Sequence, residues 1–168
     1  MYSIKMKLHM DMSKLDLDEV IIIKSKQWPY SYHEQLEWMT KNLKDTDIHV
    51  VLIKDEKNVG YLNLIDINIM VNNNLTKAFG IGNVCAVSRG QGFGYELMKL
   101  VNKYIIQSKN IGLLFCKEPL LKFYHKLDWS RLENKNFKVV DKGLEAMIFN
   151  RQFSLSENFY IEYDGVIF

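Results

Sequence analysis

Asn83-Val84-Cys85-Ala86-Val87-Ser88-Arg89-Gly90-Gln91-Gly92-Phe93-Gly94-Tyr95-Glu96-Leu97 is the stretch whose reading decides the fold. Its first five residues read as the end of a strand. Three glycines at alternate positions then form a tight turn, and a helix follows at once. Leu97, Met98, Val101 and Ile105 make the apolar face of that helix, while Glu96, Lys99, Lys103 and Gln107 lie largely away from it. Glycine lets the backbone turn sharply and approach a ligand closely. The first N–H groups of a helix have no partner inside it, and with the helix dipole they form an anion site. A pyrophosphate is the guest this predicts. Taken alone, the glycines fit a purely structural turn equally well.

Two other phosphate motifs are excluded by their own requirements. A Walker A loop ends in Gly-Lys-Ser/Thr, whereas this turn ends in Gly92-Phe93-Gly94. A dinucleotide fingerprint needs Gly-x-Gly-x-x-Gly in a parallel βαβ unit. Here Gly90, Gly92 and Gly94 alternate, and the strand before them belongs to an antiparallel meander.

That meander is legible upstream. Ile48 to Lys54 is a β-branched strand, Asp55 to Asn58 a polar turn, and Val59 to Val71 a long strand. Asn72, Asn73 and Asn74 turn the chain into a returning strand from Thr76 to Val87. Before it, Tyr2 to Met10 alternates as a first strand. Two helices follow, one opened by an Asp16/Glu19 capping box and one by a Ser31/Glu34 box, with Pro29 between them. Downstream, Ile111 to Cys116 is a short apolar strand, and Pro119 starts a helix through Phe123 and Tyr124. Phe137 to Val140, Leu144 to Asn150 and Phe159 to Tyr163 are further strand candidates. The order is β-α-α-β-β-β-α-β-α-β-β with one possible strand more, a single α+β domain over residues 1–168.

Composition bounds the rest. The 168 residues are 48% apolar and 25% charged, ordinary for a globular domain, and the net charge of +2 gives no case for nucleic acid. Lys5 and Lys7 interrupt the N-terminus before an apolar signal core, and the densest apolar run, Val20 to Ile23, is far too short to span a membrane. Cys85 and Cys116 read as buried free thiols in a reducing, cytoplasmic compartment. His9, His33, His49 and His125 are scattered, so no metal site is expected.

A second block makes the first specific. One strand after the glycine turn the chain reads Phe123-Tyr124-His125-Lys126-Leu127-Asp128-Trp129. Arg89-Gly90-Gln91-Gly92-Phe93-Gly94 resembles the Arg/Gln-x-x-Gly-x-Gly/Ala signature of the GNAT acyltransferase superfamily, and the Phe-Tyr block resembles that family's second motif at the right spacing. The resemblance covers about residues 48 to 130. It implies a GNAT fold: a mixed, mostly antiparallel sheet with helices on both faces and a splay between the fourth and fifth strands. It further implies acetyl-CoA as co-substrate, held by the backbone of Cys85, Ala86 and Val87 and by the amides of Gln91, Gly92, Phe93, Gly94 and Tyr95, with Arg89 nearby. Tyr124 occupies the position of the general acid that protonates the departing thiolate. A backbone N–H near Val87 is the implied oxyanion donor.

Three departures qualify the match. Ser88 alone separates Val87 from Arg89, so the loop is short. Lys117 holds a position where the family often has Asn. Asp128 replaces a Gly, which requires a left-handed Asp.

The acceptor expected from the resemblance is an amine of a small molecule or peptide, and a homodimer is allowed. Trp28, Tyr30, Tyr32 and Trp38 are candidates for its walls, or for packing between helices. Asp66, His33 and Glu34 are weighed as general base without a choice among them. The terminal Tyr163-Asp164-Gly165-Val166-Ile167-Phe168 loosely resembles the tail of aminoglycoside 2'-N-acetyltransferases. A catalytically silent CoA-binding module on the same fold is the alternative to an enzyme.

Overall fold

The computed structural model describes residues 1–137, 143–151, 159–165 and 167–168. They form two compact units, Met1–Ile65 with Gly82–Leu100 and Asp66–Ile81 with Val101–Phe168.

In the first unit, β1 (Tyr2–Leu8) pairs antiparallel with β2 (Ile48–Lys54), which pairs antiparallel with β3 (Lys57–Val71). Asp55 and Glu56 join β2 to β3 with φ of 47° and 63°, the two left-handed residues that a tight hairpin demands. The helices α1 (Lys14–Ser25) and α2 (Tyr32–Asn42) separate β1 from β2. The Ser31/Glu34 capping box opens α2 as expected. The box of α1 does not lie at Asp16/Glu19. Ser13 is the cap and Asp16 is its N3 partner, so the helix starts earlier. Both spacings satisfy the motif, and Asp16 is fixed at N3 because Lys5 and Lys7 of β1 grip its carboxylate at 2.7 and 2.6 Å.

The pleat gives this sheet two different faces. Gly60 and Leu52 lie under Leu97 of α3 (Phe93–Gln107), on an apolar side with Val50, Leu62 and Leu64 buried. On the other side, Lys5, Lys7, His49 and Val51 meet Asp16, Glu19 and Val20 of α1. Helices therefore cover both faces.

In the second unit, Asn72 and Asn73 turn β3 into β4 (Asn74–Ala86) with φ of 47° and 64°. β4 pairs parallel with β5 (Ile111–Cys116), but only from Ala78–Ile111 to Ile81–Leu114; the rest of β4, to Ala86, has no β5 partner. β7 (Glu145–Phe149) pairs antiparallel with β5, and β6 (Ser130–Arg131) with β7. The strand order is β1-β2-β3-β4-β5-β7-β6, with β8 (Ile161–Glu162) on β3. The expected strand Leu144 to Asn150 is β7. The one expected over Phe159 to Tyr163 shrinks to β8. That over Phe137 to Val140 lies mostly outside the described residues, with Phe137 making a single bridge to Ile161. The helix α4 (Leu121–His125) follows a 3-10 turn at Glu118–Leu120 that carries Pro119.

Candidate active site

β4 leads into the glycine turn through a distorted end. Asn83 takes a left-handed φ of 55°, and its Nδ2 donates to Oδ1 of Asn63 on β3 at 2.9 Å. Cys85 is buried, and burial pushes its thiol up to about 12, so it stays protonated and unreactive. A covalent acyl-enzyme on Cys85 is therefore disfavoured. The Val87 N–H donates to the Val59 carbonyl at 3.0 Å and is not free for an oxyanion. Backbone groups alternate sides along an extended chain, so the N–H and C=O of Ala86 point to the opposite edge.

In the turn itself, Gly90 and Gly92 have φ of 77° and 75°. A Cβ built on either would meet nothing within 4 Å. Packing does not demand glycine here; the left-handed backbone does, beside open space. The Gly92 carbonyl accepts the Glu96 N–H at 3.1 Å, so the first turn of α3 begins at this glycine. Phe93 is buried with its ring edge-on to Tyr2 of β1 and the Lys54 ammonium 5.5 Å from its centroid. That anchor fixes the helix start, while Ser88 to Gly92 stays exposed. Arg89 is exposed and donates to Oε1 of Gln27 at 3.2 Å. Gly94 is half-buried and Tyr95 exposed in the first turn. The structure thus brings Cys85, Ala86, Val87, Arg89, Gln91, Gly92, Phe93, Gly94 and Tyr95 together in the first unit.

Tyr124 belongs to the second unit. Its ring meets Phe123 and Trp129 edge-on, at centroid distances of 4.9 and 6.4 Å. Burial pushes its phenol well up, with the Cys116 thiol adding to the effect, so it stays protonated at neutral pH. Asp128 has the φ of 64° that the sequence required. Asn102 of α3 fixes the block from below: its Nδ2 donates to the Leu127 carbonyl, and its Oδ1 accepts the Trp129 indole N–H at 3.1 Å. A polar residue inside the apolar face of α3 was the available signal for Asn102. Lys117 is exposed ahead of the Glu118–Leu120 turn.

Glu34 accepts from the Ser31 N–H and hydroxyl through Oε2, as its place in the capping box requires. Tyr30 and Tyr32 are exposed, and Tyr32 donates to Asp18 at 2.7 Å. Trp28 and Trp38 are half-buried. Phe168 packs on Phe115 and Tyr163 in the second unit.

The sequence reading missed a polar cluster inside the first unit. His49 is buried, its Nδ1 2.7 Å from the Tyr61 hydroxyl and its Nε2 2.9 Å from Nδ1 of His9. Lys24 of α1 is 2% exposed, with its ammonium 4.4 Å from the centre of the Trp38 ring. Among the described residues no group of three or more His, Cys, Asp or Glu side chains is placed to hold a metal. No helix among them is long and apolar enough to cross a membrane.

Comparison with known proteins agrees with this geometry. Residues 11–132 match the family model of the GNAT-type acetyltransferase domain. That match ends short of the terminal Tyr163-to-Phe168 stretch. Among solved structures, Escherichia coli ElaA superposes with a TM-score of 0.60 at 16% identity, covering 88% of this chain and 99% of that one. An acyl-CoA N-acyltransferase from Pseudomonas aeruginosa gives 0.61 at 19% identity over 88% and 99%. The Campylobacter jejuni N-acetyltransferase PseH, in complex with acetyl coenzyme A, gives 0.59 at 18% over 88% and 98%. These likenesses show the shared fold. With a family model spanning both sequence blocks, this chain belongs to the GNAT acetyltransferase family.

Proposed function

We propose that residues 1–168 act as one acetyl-CoA-dependent N-acetyltransferase domain that acetylates a primary amine of a small molecule or peptide by direct attack. The observation that carries this is the turn from Ser88 to Gly92: two left-handed glycines, open space where their side chains would stand, and an immediate helix start. A pyrophosphate fits such a cradle through main-chain N–H groups, with Arg89 as a nearby charge. PseH, a structural neighbour, has been captured with acetyl-CoA, which supports the same ligand here.

Bound acetyl-CoA supplies the thioester, and the chain supplies position and protons. Ala86 offers its N–H to the developing oxyanion, because the Val87 N–H is already engaged. Tyr124 holds a proton for the departing thiolate. The buried Cys85 thiol takes no covalent part.

Release of free thiol from acetyl-CoA across amines, amino acids, polyamines, aminoglycosides and peptide N-termini tests the reading. Turnover with one class supports it. Binding of acetyl-CoA without turnover of any class replaces it with a silent binding module, and no binding at all removes it.

A further inference from the structure

The polar side of the first unit's sheet carries more positive charge than its own acids can match. Lys5 and Lys7 both reach Asp16. Glu19, the other acid on this side of α1, accepts from Asn58 at 2.9 Å. His49 bonds His9 and Tyr61. Lys24 remains. It projects from α1, 2% exposed, over Trp38 of α2, and no carboxylate pairs with it among the described residues. Its other electrostatic neighbours are His49, held uncharged by burial, and Cys85, a neutral thiol next to Ala86.

A buried ammonium without a counter-ion is costly, and proteins seldom keep one without a use. Burial has already drawn Lys24 down to about 8, near the point where it would shed the charge. An aromatic face compensates only part of the lost hydration. The ammonium itself is not sealed: Asn63 Nδ2 is the one fully buried side-chain polar atom without a partner among the described residues. Lys24 therefore has an ammonium that is buried but not wholly sealed, an unmet charge, and an electrostatic neighbour, Cys85, at the strand end read above as the thioester's seat.

We propose that Lys24 anchors an anionic group on the acceptor, so that the acceptor is an amine that also carries a carboxylate, such as an amino acid or an acidic peptide end. This rests on the acetyl-CoA reading of the same site. One compact cation beside an indole suits a singly charged carboxylate. A phosphate would call for several donors or an arginine fork. The same charge opposes a polycationic antibiotic, which needs acidic walls. Asp16 is already engaged by two lysines, so the aminoglycoside resemblance of the tail gains no support from this side of the sheet.

The test is a matched acceptor series at saturating acetyl-CoA. β-Alanine and 4-aminobutanoate are compared with their carboxamides, with phosphoethanolamine, and with spermidine and an aminoglycoside, by thiol release. The expected kcat/KM favours the carboxylates over the carboxamides by about tenfold or more, mainly through KM. Lys24→Met erases that preference while keeping the melting temperature and acetyl-CoA affinity, and Lys24→Arg retains part of it. If Lys24→Met does not fold, butanoate competing against each wild-type acceptor replaces it: competition supports the anchor, and its absence counts against it. Equal use of acids and amides, or a preference for phosphoethanolamine or the polycations, overturns the anchor. Acetyl-CoA binding with no turnover of either carboxylated amine also overturns it and leaves the cofactor reading standing. Failure to bind acetyl-CoA sinks both.

Discussion

His9 and His49 face each other ring to ring, Nδ1 of the first 2.9 Å from Nε2 of the second, with ring centroids 5.2 Å apart. Both cannot be charged at that distance. Burial, then His9, then Lys24 hold His49 down at about 3, while Asp16 acts weakly the other way. In the unfolded chain the same imidazole titrates near its ordinary value of 6.5. Between these values the unfolded state binds more protons than the folded one, so stability rises with pH across the window and is lost as pH falls from about 6.5 toward about 3. Asp16 also loses stability in acid, but only below its ordinary value of 3.8, because Lys5 first and Lys7 second hold its carboxyl far down. The urea midpoint should therefore already fall between pH 7 and pH 4.5. His49→Gln should flatten that part of the curve, and an unchanged slope would show that His49 is not the group responsible.

Gly92 allows conformation and occupancy to be separated. Its φ of 75° disfavours any side chain, yet no atom stands within 4 Å of the added Cβ. Gly92→Ala should therefore cost about 1–2 kcal/mol from the backbone alone. Gly92→Glu should cost a similar amount in stability while placing a negative charge in the cradle, reducing acetyl-CoA affinity by at least tenfold more than the alanine variant does. Chemical denaturation and calorimetric titration read the two effects independently. Equal acetyl-CoA affinity in the two variants would remove the pyrophosphate from this turn.

For Tyr124 the expected signature lies in turnover. Tyr124→Phe keeps the ring contacts with Phe123 and Trp129 and removes only the hydroxyl that would give the proton. We expect kcat to fall by roughly 10- to 100-fold with acetyl-CoA affinity nearly unchanged. Burial raises the phenol above its ordinary value of 10.0, so Tyr124 itself should produce no alkaline loss of activity below pH 10. A pH–rate profile of the wild-type enzyme checks that sign.

What the sequence disclosed, and what it hid, divides by the range of the interaction. The glycine turn, the Ser31/Glu34 cap, the Asn72-Asn73 hairpin and the left-handed Asp128 are local, and each residue carries its own backbone preference. The start of α1 was misread because two overlapping spacings fit one motif, and the deciding lysines arrive from β1. The His9–His49 pair depends on the register of β1 against β2, with Leu8 opposite Ile48, which separates the two histidines by forty positions in the chain. The engaged Val87 N–H likewise depends on Val59 across the sheet. Family resemblance supplied the cofactor side, since main-chain recognition leaves a glycine pattern. It supplied little about Lys24, which looks like any lysine at the end of a helix until its surroundings are known.

Asn102 offers the clearest packing test of the second block. Trp129 is 1% exposed, and its indole N–H has the Asn102 Oδ1 as its acceptor at 3.1 Å. The same amide donates to the Leu127 carbonyl at 2.9 Å, just ahead of the left-handed Asp128. Asn102→Ala leaves a buried N–H and a buried carbonyl unmet, at a cost of about 2–4 kcal/mol. Asn102→Leu adds bulk and should cost no less. Trp129→Phe removes the donor and keeps a ring facing Phe149, where the stacked centroids lie 5.3 Å apart. In the Trp129→Phe background the further cost of Asn102→Ala should therefore shrink by about 1 kcal/mol or more. A double-mutant cycle by urea denaturation measures that coupling. Full additivity of the two changes would show that Asn102 supports the block through Leu127 alone.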